Sequence, residues 1–324
     1  MSVDTLNQDV KSQIDNLLMD TKKSSLDIAK TNTETKNLLL IDIAKNINES
    51  RTSILLNNEK DLNLLDPKNF SPAFYDRLKL NDERIDQMIQ NINEVIDLED
   101  PVRKNRFLYE RPNGLKVFKQ SIPLGVICII YESRPNVTSD AASLCLKSGN
   151  SVLLRGGSEC FNTNKILVDI IQKSLIKNNI NKDSVNLVPY TDREVMKYIL
   201  RKDDDVDLVI PRGGEGLIRF VSENSSIPVI KHYKGVCHVY LDSEADLKIA
   251  HDIAINSKIQ RPGVCNAMET LIINRNLPEN FIRKLLDNFI SQGVLLYGEK
   301  ELASLYDSKK FKVLKSNDYH NEYL

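Results

Sequence analysis

The chain has 324 residues, of which 44 are lysine or arginine and 45 are aspartate or glutamate, and 41% of its side chains are hydrophobic. This length exceeds the core of one ordinary domain and predicts two domains or one large α/β unit. The near-neutral charge excludes a general electrostatic affinity for nucleic acid or for an anionic membrane surface.

The sequence carries no recognisable signal for a membrane or for secretion. No apolar run reaches the roughly 18 residues that suggest a transmembrane helix, and the N-terminal stretch lacks the basic and apolar regions of a secretory signal. None of the cysteines forms a C-x-x-C pair, which predicts free thiols and a cytoplasmic location. Histidine and cysteine show no spacing typical of metal ligands, so no metal site is predicted. The five cysteines are Cys128, Cys145, Cys160, Cys237 and Cys265.

The first hundred residues predict helices. Apolar residues recur at intervals of three and four along 12–30, 33–65 and 80–98. This region contains no glycine, and its first proline is Pro67. The many polar residues fall at helical period, so they indicate solvated helix faces rather than disorder.

From residue 107 onward, strands alternate with helices, which predicts a mostly parallel sheet covered on both faces. Ligands bind such sheets beyond the carboxyl ends of the strands. A second α/β set begins near residue 236. The predicted strands lie within 115–132 and at 151–155, 185–189, 206–211, 227–231, 236–242 and 269–274, and the predicted helices at 137–149, 161–178, 191–201, 214–224 and 245–258.

Two glycine-containing turns follow predicted strands. One runs from Arg155 to Glu159 and the other from Pro211 to Gly216. Glycine lets the backbone approach a phosphate closely, and the N-terminus of a following helix offers N–H groups to an anion. Neither turn matches G-x-G-x-x-G or a P-loop, and each by itself is equally consistent with a tight βα turn. Two such turns in one sheet favour nucleotide binding.

Two further segments carry candidate chemistry. The strand within 122–137 ends in a polar cluster, which indicates either a site at the sheet edge or a solvated loop. Cys265 lies between a Pro-Gly turn and Asn266, where Arg261 and backbone N–H groups favour a thiolate or hold an oxyanion. The alternative interpretation is that Cys265 is buried and packs as a small hydrophobic residue. The polar cluster consists of Tyr131, Glu132, Ser133, Arg134 and Asn136.

Four segments, in this order, closely resemble the gamma-glutamyl phosphate reductase (glutamate-5-semialdehyde dehydrogenase) family of the aldehyde dehydrogenase superfamily: 123–159, 210–221, 232–242 and 258–273. The resemblance implies an aldehyde-dehydrogenase-like α/β fold with two domains, each with a mostly parallel sheet flanked by helices, and a helical N-terminus. The expected domains are 1–231, with the N-terminal helices and the NADP-binding sheet, and 235–324, a catalytic domain that lacks the family's C-terminal segment.

The resemblance also implies an activity, the NADPH-dependent reduction of L-glutamate 5-phosphate to L-glutamate 5-semialdehyde and phosphate through a cysteine thioester, in proline biosynthesis. It further implies a homo-oligomer. Two alternatives stay open: an aldehyde-oxidising dehydrogenase, and a shortened non-catalytic member that binds nucleotide or a partner chain. His232 argues against the first, because aldehyde-oxidising relatives carry a water-activating glutamate there. The early stop at Leu324 favours the second.

The resemblance assigns roles to the candidate residues. Cys265 is the expected nucleophile, and Asn136 is the candidate oxyanion donor. A cation near the adenosine ribose, with no aspartate at the strand end, favours NADP over NAD. The expected cofactor-binding residues are Arg155, Gly156, Gly157, Ser158, Gly213 and Gly214, and the expected substrate-binding residues are Arg134, Arg261 and His232.

Overall fold

The computed structural model describes residues 6–65, 72–231, 235–262, 264, 266–304, 306, 309–320 and 323. The chain divides into two compact units, Met1–Lys231 and His232–Leu324. Among the described residues, no helix is both long enough and apolar enough to span a membrane.

Helices make up most of the described part of the first hundred residues. Asn7, Asn32 and Asn81 each accept a hydrogen bond from a backbone N–H at the start of a helix, and such caps fix where helices begin. The sequence predicts one continuous helical stretch over 33–65, but the structure divides it at Ser50, whose φ of −99° and ψ of 11° leave the helical range. The helices are α1 (Gln8–Ile28), α2 (Thr33–Glu49), α3 (Arg51–Asn63), α4 (Pro72–Leu78) and α5 (Asp82–Asp97).

An antiparallel ribbon precedes the main sheet of the first unit. It consists of β1 (Asn105–Glu110) and β2 (Lys116–Gln120), which are almost entirely exposed. The main sheet contains β3 (Val126–Tyr131), β4 (Ser151–Arg155), β5 (Val185–Leu187) and β6 (Leu208–Arg212). These four strands are all parallel and lie in the order β5-β4-β3-β6. The strand predicted at 227–231 is reduced to one bridge between Val229 and Val209.

Helices cover both faces of this sheet. They are α6 (Asn136–Lys147), α7 (Phe161–Lys177), α8 (Arg193–Ile199) and α9 (Glu215–Asn224), together with α1, α2 and α5. Along the fully buried β3, Ile127 and Ile129 pack with α2, α5, α6 and α7, whereas Cys128 and Ile130 pack with α1, α8 and α9. This alternation is the two-residue period of a strand buried on both faces.

A buried polar cluster ties three helices of the first unit together. Lys36 on α2 is only 1% exposed, pairs with Asp100 and donates to the carbonyl oxygen of Lys147 at 3.0 Å. The ammonium group of Lys147, at the end of α6, donates to Asn37 Oδ1 at 2.7 Å and to the carbonyl oxygen of Ile96 on α5 at 2.8 Å. Buried charges are tolerated when paired and hydrogen-bonded in this way.

The second unit begins with a parallel βαβ arrangement, as the sequence predicts. Its elements are β7 (Cys237–Leu241), α10 (Leu247–Ile259), β8 (Met268–Ile273), α11 (Glu279–Ser291), β9 (Leu296–Gly298), α12 (Lys300–Ala303) and β10 (Phe311–Val313). β7 pairs with β8 and β9 pairs with β10, both in parallel. The core contains Leu241, Ala254, Met268, Leu285 and Phe289.

Candidate active site

Three predicted segments of the first unit meet at one edge of the sheet. β4, β3 and β6 are neighbours and run parallel, so the residues that follow them share the carboxyl edge. These segments are 132–136 after β3, 156–159 after β4 and 213–214 before α9. Ligands of open parallel sheets bind at this edge.

In the turn after β4, two side chains lie close against two consecutive glycines. A Cβ atom on Gly156 would lie 2.1 Å from Asn164 Nδ2, and one on Gly157 would lie 2.2 Å from Glu159 Oε1. Real Cβ atoms do not approach so closely, so any larger residue would displace one of these side chains. Both glycines are buried, whereas the following Ser158 is exposed.

A chain of buried hydrogen bonds links the side chains that pack against this turn. The Tyr131 hydroxyl pairs with Thr138 Oγ1 at 2.7 Å, and Thr138 Oγ1 donates to Asn164 Oδ1 at 2.9 Å. Asn164 Nδ2 in turn donates to Cys160 Sγ at 3.2 Å. Burial raises the pKa of Cys160 to about 12, so this thiol stays protonated at neutral pH. Polar residues at 138 and 164, on helix faces that are otherwise apolar, were the only sequence signal for this network.

Two carboxylates connect the three turns. Glu159 Oε1 accepts hydrogen bonds from the backbone N–H and the hydroxyl of Ser133, both at 2.8 Å. Glu132 Oε2 accepts from the backbone N–H of Gly214 at 3.0 Å. Ser133 has a φ of +45°, which is uncommon outside glycine and is held here by the Glu159 contacts. The sequence shows that Glu132 and Ser133 are polar, but it does not predict which residues they form hydrogen bonds with.

Replacing Glu159 with alanine should destabilise the fold by roughly 1–3 kcal/mol, because the buried N–H and hydroxyl of Ser133 would lose their acceptor. Glu159→Gln should cost less, since its amide oxygen can still accept both bonds. Urea unfolding of the two variants and of wild type measures the difference. Glu194→Ala, which removes an exposed pair with Lys197, is the control and should stay near wild type. Equal stability of Glu159→Ala and Glu194→Ala would contradict this role.

Arg155 provides the clearest observation on cofactor fit. Its guanidinium is half-buried, and Nη2 donates to the carbonyl oxygen of Thr191. Its buried Nε has no hydrogen-bond partner among the described residues. Burial lowers the pKa of Arg155, and the nearby charge of Glu159 acts in the opposite direction. An unpartnered cationic N–H at the carboxyl edge fits an anionic group such as a nucleotide phosphate.

Asn136 and Arg134 lie in the segment after β3. Asn136 begins α6, and its Nδ2 donates to Asp140 Oδ2 at 3.0 Å. Burial raises the pKa of Asp140, partly offset by hydrogen bonds from Asn91 and Asn136. The amide of Asn136 carries two hydrogens and this bond uses one, so it can still donate to an oxyanion. Its catalytic role stays a prediction, as does the substrate role of the half-buried Arg134.

The remaining candidates, Arg261, Cys265 and His232, belong to the second unit. Arg261 is exposed and its carbonyl oxygen accepts from the N–H of Val264 at 3.3 Å, in a turn that leads into β8. Cys265 and His232 lie outside the described residues, so their roles stay predictions. The structure therefore brings together the candidates of the first unit but does not test these two.

The parallel sheet flanked by helices defines an α/β protein, and its candidate site lies in the turns at the carboxyl ends of the strands. The chain belongs to the aldehyde dehydrogenase family, whose sequence model matches residues 75–316, and within it to the gamma-glutamyl phosphate reductases. The predicted family and fold class are thereby confirmed, and the chain is by family an oxidoreductase.

Three comparisons support this assignment. The chain is 43% identical over 316 residues to gamma-glutamyl phosphate reductase of Thermodesulfovibrio yellowstonii, covering 98% of this chain and 75% of the relative. It is 44% identical over 315 residues to that of Citrifermentans bemidjiense, covering 97% and 75%. The crystal structure of the Thermotoga maritima enzyme superposes with a TM-score of 0.86 at 36% identity, covering 95% of this chain and 74% of that one. The chain thus spans about three quarters of the length of these relatives.

Proposed function

We propose that this chain reduces L-glutamate 5-phosphate to L-glutamate 5-semialdehyde and phosphate with NADPH, a step of proline biosynthesis. The observation that carries the proposal is its identity of 43–44% to gamma-glutamyl phosphate reductases over nearly its whole length. The cluster of strand-end turns at one sheet edge supports it, because aldehyde dehydrogenases use nicotinamide cofactors and the unpartnered Arg155 Nε suits an anionic group of a nucleotide.

Cys265 would act as the nucleophile. Its thiolate would attack the acyl carbon of the substrate. The bond from that carbon to the phosphate oxygen would then break, so that phosphate departs and a thioester remains on Cys265. Asn136 would donate a hydrogen bond to the oxyanion of the tetrahedral intermediate. Arg134 and Arg261 are proposed to bind the anionic groups of the substrate by charge, and His232 is proposed to contact the substrate. NADPH, when bound, would supply the hydride for reduction of the acyl group. The carbon–sulfur bond would then break, which releases the aldehyde and returns the Cys265 thiolate.

The residues proposed to hold the cofactor belong to two turns. Gly156 and Gly157 shape the turn after β4 by making room for the Asn164 and Glu159 side chains, and the N–H groups at the start of α9 follow Gly213 and Gly214. Arg155 and the exposed Ser158 favour the 2′-phosphate of NADP. Glu159, the carboxylate after this turn, is hydrogen-bonded to Ser133.

The purified chain should reduce NADP⁺ in the presence of L-glutamate 5-semialdehyde and inorganic phosphate, the reverse of the proposed reaction. Formation of NADPH should require phosphate, because acyl transfer from the thioester to phosphate completes the turnover. Oxidation of the aldehyde without phosphate would favour an aldehyde-oxidising dehydrogenase instead. Nucleotide binding without turnover by a folded sample would favour the non-catalytic alternative. We also propose a homo-oligomer, which sedimentation of the same sample tests.

A further inference from the structure

We propose that Arg193 is a second cation for the 2′-phosphate of the cofactor and makes this chain select 2′-phosphorylated nucleotides. This assignment rests on the proposed function, since it concerns the nucleotide site at the carboxyl edge of β4. Arg193 would act as a specificity-determining residue beside Arg155.

The backbone brings the start of α8 to the end of β4. β5 pairs with β4 through Leu154 and Leu187, and the N–H of Val188 donates to the carbonyl oxygen of Leu154 at 2.8 Å. The chain then turns, and Arg155 donates to the carbonyl oxygen of Thr191. Arg193 is the first residue of α8, two positions after Thr191. A side-chain contact from β4 therefore anchors the segment that carries Arg193.

Charges of both signs act on Arg155 at this corner, the carboxylates of Glu159 and Glu132 and the cation of Arg193. Burial lowers the pKa of Arg155, the charge of Glu159 raises it, and the charge of Arg193 lowers it further. Two cations held near each other repel, and Arg155 keeps a buried Nε without a partner among the described residues. A phosphate group would relieve the repulsion and supply the acceptor at once, since guanidinium groups bind phosphate with paired N–H bonds.

Other cations near α8 do not share these features. Lys197 pairs with Glu194 at 2.7 Å on the exposed face of the helix. Arg201 is exposed and follows the end of α8. At the rise of a helix, its separation from Arg193 along the chain corresponds to roughly 12 Å. Because it has the same chemistry but a distant location, Arg201 is a matched control for Arg193.

The test measures binding of 2′,5′-ADP and 5′-AMP to the full chain by isothermal titration calorimetry. These probes differ only in the 2′-phosphate, and neither reading depends on turnover. Wild type should bind 2′,5′-ADP more tightly. Arg193→Gln should weaken 2′,5′-ADP by roughly tenfold and 5′-AMP by less than about twofold, as expected for one charged hydrogen bond. Arg193→Lys should restore part of the preference, and Arg201→Gln should change neither affinity.

Several outcomes would overturn the assignment. If wild type prefers 2′,5′-ADP and Arg193→Gln keeps that preference, the nucleotide site stands but Arg193 has no part in its selectivity. An equal loss for both probes would give Arg193 a role unrelated to the 2′-phosphate. If wild type binds neither probe, the proposed nucleotide site fails and this assignment fails with it. Unfolding midpoints of the variants in urea confirm that the exposed substitutions leave the fold intact.

Discussion

Cys265→Ala is expected to lose turnover by a factor of roughly 10⁴ or more, while the chain keeps its affinity for nucleotide. The loss follows because the proposed reaction passes through a thioester, and removing a covalent nucleophile costs enzymes about this much. Nucleotide affinity should persist because the proposed cofactor turns belong to the first unit. Phosphate-dependent reduction of NADP⁺ measures the rate, and calorimetry with 2′,5′-ADP measures binding.

The other thiols provide the control. Burial raises the pKa of Cys128, Cys145 and Cys160 to about 12 in each case, so at neutral pH they remain protonated and poorly reactive. Cys237 is half-buried, and Cys237→Ala should turn over as wild type does. Iodoacetamide at neutral pH should then inactivate wild type and Cys237→Ala alike. A Cys265→Ala variant that retains a substantial part of the wild-type rate would rule out the thioester mechanism.

Asp61→Ala is expected to destabilise the first unit by about 1–3 kcal/mol, because buried N–H and hydroxyl donors would lose their acceptor. Asp61 lies on α3 and is 3% exposed. Its oxygens accept from the backbone and side-chain nitrogens of Asn162, at 3.1 and 2.8 Å, and from the backbone N–H and hydroxyl of Thr163, at 2.8 and 2.6 Å. This carboxylate therefore caps the N-terminus of α7 from another helix, where negative charge is favoured.

The same substitution should reach the candidate site. α7 begins directly after the turn that contains Gly156 and Gly157, so loss of its cap should also weaken binding of 2′,5′-ADP. Urea unfolding gives the stability, and Asp61→Asn should fall between alanine and wild type because one acceptor oxygen remains. Asp42→Ala is the matched control: Asp42 bonds Lys177 and Asn178 at the opposite end of α7 and should cost less than about 1 kcal/mol. Similar losses for the two alanine variants would refute the capping role.

Periodicity predicted most elements correctly because the strands and helices of the sheet are amphipathic or wholly apolar. The break at Ser50 was not predictable, since the residues on both sides continue a helical pattern. Asn58 and Asp61 are buried on α3. They form hydrogen bonds with residues at the start of α7, about one hundred residues later in the chain. The meeting of the strand-end turns follows from parallel topology alone. The links from Glu132 and Glu159 do not, because they depend on side-chain positions that no local pattern encodes.

The buried cluster of Lys36, Asp100 and Lys147 bears on how the chain is made. Lys36 leaves the ribosome 111 residues before the carbonyl group that it finally contacts. α2 and α5 pack against each other, but the carbonyl group of Lys147 that completes the cluster is missing until α6 is synthesised. The cluster therefore closes only once residue 147 has been made, and we expect the N-terminal helices to reach their final packing together with the strands that follow them.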